Sequence, residues 1–238
     1  MIEIRGLVKT FDGKRAVNGL DLTVEAGVFF TFLGPNGAGK TTTMKIMAGL
    51  LRPTHGSVHI DGIDVVWDPV KAKTRIGYIP DHPFLYGKLT GWELLRFVGG
   101  LYRMRDSAVR TRGGELLEIF DLVSEADRLI DGYSHGMRQR LAFAACFLHE
   151  PRVVIIDEPW VGLDPRNIRV AIDFLKSQTQ KGVTIFMSTH SLDIAEDVAK
   201  RIGILHNGSL VYNGSVEELR NGSTVKDLEE LFLELTAR

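Results

Sequence analysis

Val28-Phe29-Phe30-Thr31-Phe32-Leu33-Gly34-Pro35-Asn36-Gly37-Ala38-Gly39-Lys40-Thr41 is the stretch that decides the fold. Its first half is apolar apart from one threonine and reads as a buried strand. Its second half fits G-x-x-x-x-G-K-[ST], the loop that wraps nucleotide phosphates. Gly34, Gly37 and Gly39 permit backbone angles that side chains block, so the loop, with Asn36 and Ala38, turns successive N–H groups inward on an anion. The helix expected over residues 40–50 points its positive end at the same spot. Lys40 adds a full charge for the β- and γ-phosphates. Thr41 offers a hydroxyl to Mg²⁺, and Thr42 is a further candidate for nucleotide binding. Strand before and helix after are the context this loop requires, and together they imply nucleoside triphosphate binding.

The composition is that of an ordinary globular protein. The 238-residue chain is 44% hydrophobic and 25% charged, enough for a sizeable core in one large domain or one with a subdomain. The 29 basic and 30 acidic residues balance to a net charge of −1, so nothing argues for nucleic-acid wrapping. The single cysteine, Cys146, lies in an apolar stretch and reads as a small buried hydrophobe. A disulfide framework is excluded, which fits the cytosol. Met1-Ile2-Glu3-Ile4-Arg5 alternates like a strand and lacks a signal-peptide core. Apolar stretches fall far short of the roughly 18 residues that span a bilayer. The expectation is a soluble chain that meets a membrane only through a partner.

Working outward, strand-like runs are expected over residues 2–8, 20–24, 28–33, 57–60, 75–79, 153–156, 183–187, 202–205 and 210–212. The runs at 153–156 and 183–187 look buried on both faces, as in a parallel sheet. Helices are expected over 40–50, 92–103, 107–122, 135–149, 166–180 and 192–200, with Gly113-Gly114 weakening or breaking the third. The middle of the chain is almost purely helical. This suggests a helical subdomain, 84–150, inserted into an α/β core formed by 1–83 and 151–206, with a strand and helices over 207–238. Residues 223–238 read as one amphipathic helix with Leu228, Leu231, Phe232 and Leu235 on one stripe.

A second set of chemical groups follows later in the chain. The apolar run Val153-Val154-Ile155-Ile156 ends in Asp157, where P-loop ATPases place a carboxylate that holds Mg²⁺. Glu158 comes next. Adjacent carboxylates repel and call for a cation; with Asp157 on the ion, Glu158 is free to polarise a water as a general base. Ser188-Thr189-His190 follows another buried strand, and a histidine at such a strand end sits where α/β sheets bind ligands. Tyr133-Ser134-His135-Gly136-Met137-Arg138-Gln139-Arg140 opens a helix with Ser134 as N-cap, giving a second anion-binding end.

These pieces, in this order, resemble the nucleotide-binding domain of ABC transporters over essentially the whole chain. Gly34–Thr41 resembles Walker A, and 153–157 resembles Walker B, with Glu158 as catalytic glutamate. Gly162-Leu163-Asp164-Pro165 is similar to the D-loop, and His190 to the switch histidine. Residues 133–140 resemble the signature motif in a YS-x-GM-x-QR variant. The resemblance implies a P-loop, RecA-like α/β core with an N-terminal antiparallel β subdomain and an inserted α-helical subdomain. It implies ATP and Mg²⁺ as cofactors, with Lys40, Glu158 and His190 catalytic. It also implies head-to-tail pairing with a second copy or a related cassette. Each ATP would then lie between Walker A of one copy and the signature of the other, giving Ser134 and Gly136 a role toward the partner's γ-phosphate and Asp164 a place among the nucleotide-binding residues. Phe11 falls where the family stacks an aromatic on adenine, and Val17 is expected to line that pocket.

Departures from the pattern refine the resemblance. Asp81 stands where glutamine is usual; it is shorter and charged, and is expected to touch the metal through water. Acidic residues here, with the YS-x-GM signature, are features of the exporter-type ABC-2 subfamily. His135 and Val161 are further departures. The stretch after His206 is too short for the regulatory domain of many sugar importers. The apolar Phe84, Leu85 and Tyr86 are expected to meet the coupling helices of transmembrane permease subunits. The leading expectation is a cytoplasmic ATPase subunit held at the inner face of the membrane through that permease. The alternative is a soluble ABC-type ATPase acting on a non-transport partner.

Overall fold

The computed structural model describes residues 1–160, 162–215, 217–218 and 228–236. Val161 and parts of the expected last helix therefore lie outside the described residues, as do the side chains of Leu228 and Leu231. In chain order the strands are β1 (Ile2–Phe11), β2 (Lys14–Val24), β3 (Phe29–Leu33), β4 (His55–Ile60), β5 (Ile63–Asp64), β6 (Ile76–Ile79), β7 (Val153–Asp157), β8 (Thr184–Ser188), β9 (Arg201–His206) and β10 (Ser209–Gly214). The helices are α1 (Lys40–Met47), α2 (Pro69–Lys73), α3 (Gly91–Leu101), α4 (Asp106–Ile119), α5 (His135–Phe147), α6 (Pro165–Gln180), α7 (Leu192–Val198) and α8 (Leu228–Thr236).

β1, β2, β4 and β5 form a four-stranded antiparallel sheet in the order β2-β1-β4-β5. Alternation along β1 and β2 sends Ile2, Ile4, Leu20, Leu22 and Val24 into the core. The second sheet is six-stranded, in the order β10-β9-β3-β8-β7-β6. All its pairings are parallel except β10 with β9. β3, β7 and β8 are buried throughout, as mainly apolar strands covered on both faces of a parallel sheet are. Phe30 and Phe186 stack across β3 and β8 with ring centroids 5.2 Å apart. Helices α3, α4 and α5 bury Leu95, Leu116, Leu141 and Phe143 fully in a cluster they share with α6 and with Val154, Ile156, Ile185 and Met187 of the second sheet. Phe232 and Leu235 of α8 pack against the cluster of Leu33, Ile202 and Ile204. No described helix is long and apolar enough to cross a membrane.

Two local differences from the sequence expectations have clear causes. Gly113-Gly114 does not break α4. Gly113 is where α4 meets α3: a Cβ there would lie 3.1 Å from Trp92 and 3.3 Å from Leu95, so glycine serves close approach rather than a turn. β2 starts six residues earlier than the apolar run, at Lys14 rather than Leu20. The turn Asp12-Gly13, with φ of 45° and 80°, pairs Phe11 with Lys14 and carries the hairpin on through polar residues. The short α2 also escapes periodicity, although Asp68 caps it and Pro69 opens it.

Candidate functional site

The parallel strands bring their C-terminal ends to one edge of the second sheet, where α/β proteins bind ligands. β3 delivers the chain into Gly34, β6 leads to Asp81, β7 ends in Asp157, and β8 ends in Ser188 just before His190. A cavity of about 480 Å³ opens there. Its wall includes Asn36 to Thr42 of the glycine loop, and Asp81, Glu158 and His190 from the other strand ends. It also includes Ala16 and His82, which the sequence reading did not single out.

The loop geometry is set by glycine. Gly39 has φ of 105° and forms the N-cap of α1, and a Cβ there would strike the Ala16 carbonyl. No described side chain caps α1, so its first N–H groups, on residues that line the cavity, are left for an anion with the helix dipole behind them. Lys40 is 6% exposed. Its Nζ donates to the carbonyls of Gly34 at 2.6 Å and Pro35 at 3.2 Å, and lies 3.9 Å from Glu158 Oε1. Burial holds the ammonium below the usual lysine range, and Glu158 and Asp157 oppose that shift.

Asp157 is fully buried. Its Oδ1 accepts from Ser188 Oγ at 2.6 Å, while its Oδ2 has no hydrogen-bond partner among the described residues. A buried, unpartnered carboxylate oxygen beside a phosphate loop fits a hard cation or its water shell, so the donor set of Asp157 and Thr41 suits Mg²⁺. Glu158 adopts φ of 45°, a left-handed conformation that costs a side-chain-bearing residue about 1–3 kcal/mol and that surrounding contacts must impose. Its N–H donates to Ser188 Oγ at 3.1 Å. Its Oε2 lies 2.8 Å from His190 Nδ1. Asp81 lines the cavity and accepts from the His82 N–H at 2.9 Å.

Other expected site residues stand elsewhere. Ser134 caps α5, accepting from the Met137 N–H at 3.2 Å, and is exposed. Gly136 packs close to the Gly162 carbonyl, where a Cβ would lie 3.1 Å away. Asp164 caps α6 through the Asn167 N–H at 2.9 Å. Ser134, Gly136 and Asp164 do not line the cavity of their own chain. Phe11 is 45% exposed, with Lys9 Nζ 4.8 Å from its ring centre. Val17, expected beside the adenine pocket, does not line this cavity. Its side chain is fully buried in the first core, because strand alternation turns it inward, and Ala16 takes the place on the cavity wall. Leu85 likewise packs on the helical cluster, whereas Phe84 and Tyr86 are exposed.

A family model described as ABC transporter matches residues 17–161. The daunorubicin/doxorubicin resistance ATP-binding protein DrrA of Streptomyces peucetius is 40% identical over 226 residues, spanning 94% of this chain and 68% of that protein. A solved ATP-binding subunit of an ABC transporter superposes with a TM-score of 0.93 at 33% identity, covering 99% of both chains. A dimeric ATP-binding cassette in a post-hydrolysis state, bound to ADP and Pi, superposes with a TM-score of 0.84 at 26% identity, covering 91% of this chain and 99% of that one. With its cavity built from a glycine loop and the ends of β6, β7 and β8, the chain belongs to the ABC transporter family, as an ATP-binding and ATP-hydrolysing cassette.

Proposed function

We propose that this cassette works as a pair, with a second copy or a related subunit, at the cytoplasmic face of a membrane permease, and that it drives export. The observation that carries the reading is the convergence of Lys40, Thr41, Glu158 and His190 on one cavity, with Asp157 buried next to Glu158, while the exposed Ser134 and the segment at Gly136 lie outside it. A site so divided needs a second chain to supply the signature. In the proposed division of labour the α/β core, 1–83 and 151–206, holds nucleotide, and the helical part, 84–150, faces the partners.

The chemistry follows from the residues. The α1 amides and Lys40 bind the β- and γ-phosphates. Phe11 stacks on adenine. Thr41 and Asp157 would hold Mg²⁺, with Asp81 on the same cavity wall as Thr41, and the ion would supply positive charge against the phosphate oxygens. A water oxygen attacks the γ-phosphorus, Glu158 takes the water's proton, and the bond to the β–γ bridging oxygen breaks so that ADP leaves with that oxygen. His190 orients Glu158 and the γ-phosphate. Export is supported by Asp81, by the YS-x-GM signature and by the resistance function named for the DrrA relative.

Co-expression with a candidate membrane permease, purification of the complex and reconstitution into vesicles test this reading. ATP added on the cassette side is expected to move cargo away from that side. A cassette that purifies with no membrane protein, and whose turnover no membrane protein alters, would favour the soluble alternative.

A further inference from the structure

Ser188 ends β8 and is fully buried. The parallel ladder pairs it with Asp157, the last residue of β7. From there one hydroxyl serves two neighbours. It donates its proton to Asp157 Oδ1 at 2.6 Å and accepts the Glu158 N–H at 3.1 Å, using both capacities of a hydroxyl at once.

Each bond has a geometric consequence. The bond at Oδ1 restrains the Asp157 carboxylate, and Oδ2 is the oxygen left without a partner among the described residues. Held at its N–H, Glu158 keeps its left-handed backbone, and from that backbone its Oε2 reaches His190 Nδ1 at 2.8 Å while Oε1 lies 3.9 Å from Lys40 Nζ. Thr189 is also fully buried but turns its hydroxyl the other way, accepting the Ser191 N–H at 3.0 Å as the chain enters α7.

We propose that Ser188 is a positioning residue for ATP hydrolysis, which fixes the free oxygen of Asp157 toward the cation and the carboxylate of Glu158 toward the attacking water. The proposal rests on the ATPase reading of the same cavity. Ser188 is fully buried and does not line the cavity. It acts through two carboxylate residues whose charges repel and whose relative placement no other side-chain hydrogen bond among the described residues sets.

The test uses the full chain and three variants. Ser188→Ala removes both bonds. Ser188→Thr keeps the hydroxyl on a residue suited to a strand. Ser188→Cys keeps the volume and loses the strong donor. Mn²⁺ is titrated into each ADP complex and followed by electron paramagnetic resonance. Steady-state kcat and KM for ATP are measured alongside, and thermal unfolding is followed without nucleotide. In Ser188→Ala, Mn²⁺ affinity and kcat are each expected to fall roughly tenfold or more, the range for lost supporting bonds around a metal site, with KM little changed. Ser188→Thr is expected to restore both. If Ser188→Ala does not fold, Ser188→Cys decides: weakened Mn²⁺ binding supports the proposal, and wild-type affinity and kcat overturn it. A folded Ser188→Ala with wild-type Mn²⁺ affinity and kcat overturns it outright. Wild-type protein that binds no Mn²⁺ with ADP would instead sink the ATPase reading, and the proposal with it.

Discussion

Lys40 Nζ lies 3.9 Å from Glu158 Oε1, so the buried cation of the phosphate loop and the carboxylate assigned to the attacking water face each other across one cavity. The same ammonium donates to the carbonyls of Gly34 and Pro35. Its affinity for a polyphosphate is therefore a difference, new oxygens for old ones. A phosphate drawn to Lys40 arrives beside Glu158 by the same contact.

Lys40→Ala is expected to weaken ATP binding roughly 10- to 100-fold, the equivalent of one hydrogen bond to a charged group at about 1.5–3 kcal/mol. Isothermal titration of ATP into wild type and variant measures this. Undiminished affinity would contradict the assignment of the loop.

Glu158→Gln keeps the shape of the side chain but loses the base. Turnover is expected to drop by about two to four orders of magnitude while ATP binding persists. With ATP the variant is expected to elute as a dimer on size exclusion, because the closed pair no longer reopens by hydrolysis. A variant that hydrolyses at the wild-type rate would remove Glu158 from its role.

His149 predicts an acid-sensitive fold. Its ring stacks on Tyr102 with centroids 3.6 Å apart, and its Nε2 donates to the Ile76 carbonyl at 3.1 Å. Its Nδ1 is buried with no hydrogen-bond partner among the described residues, and burial lowers its pKa from 6.5 to about 4. The folded state thus holds the neutral ring, while the unfolded chain takes up a proton between those values. Stability from this group is present above about pH 6.5 and falls as pH drops toward 4, by about 2 kcal/mol at pH 5. Urea unfolding at pH 7 and pH 5, compared between wild type and His149→Phe, reads it. The variant should lose less on acidification, and equal losses would contradict the prediction.

Adjacent glycines in α4 should behave differently. At Gly114 an added Cβ meets only Trp92 at 3.9 Å, so Gly114→Ala is expected to stabilise by roughly 0.5–1 kcal/mol through reduced backbone entropy. At Gly113 the Cβ presses on Trp92 and Leu95, and Gly113→Ala should gain less or destabilise. Thermal unfolding of the two single variants gives the comparison, and equal stabilisation would contradict it.

Exposure also divides the apolar stretch beyond Asp81. Phe84 is 92% exposed, so Phe84→Glu is expected to leave unfolding and basal ATP turnover unchanged while abolishing stimulation by the permease. Leu85 packs on the helical cluster, and Leu85→Ala should instead cost about 2 kcal/mol of stability. Loss of folding in Phe84→Glu would return that residue to core packing.

Sequence alone determined the elements whose chemistry is local. The apolar runs of β3, β7 and β8, the glycine loop and the capped start of α5 are each written in contiguous residues, because a buried strand, a phosphate loop and an N-cap depend on neighbours in the chain. Tertiary structure decided what depends on pairing and packing. Strand alternation and the hairpin at Asp12-Gly13 buried Val17 and put Ala16 on the cavity wall. Packing of α3 against α4 turned a pair of apparent helix breakers into a contact point. The register of β7 against β8 set Ser188 beside Asp157, although 30 residues separate Glu158 from Ser188 along the chain. Local propensity carries no record of which distant residues a sheet places side by side, so that part of the site became visible only once the strands were paired.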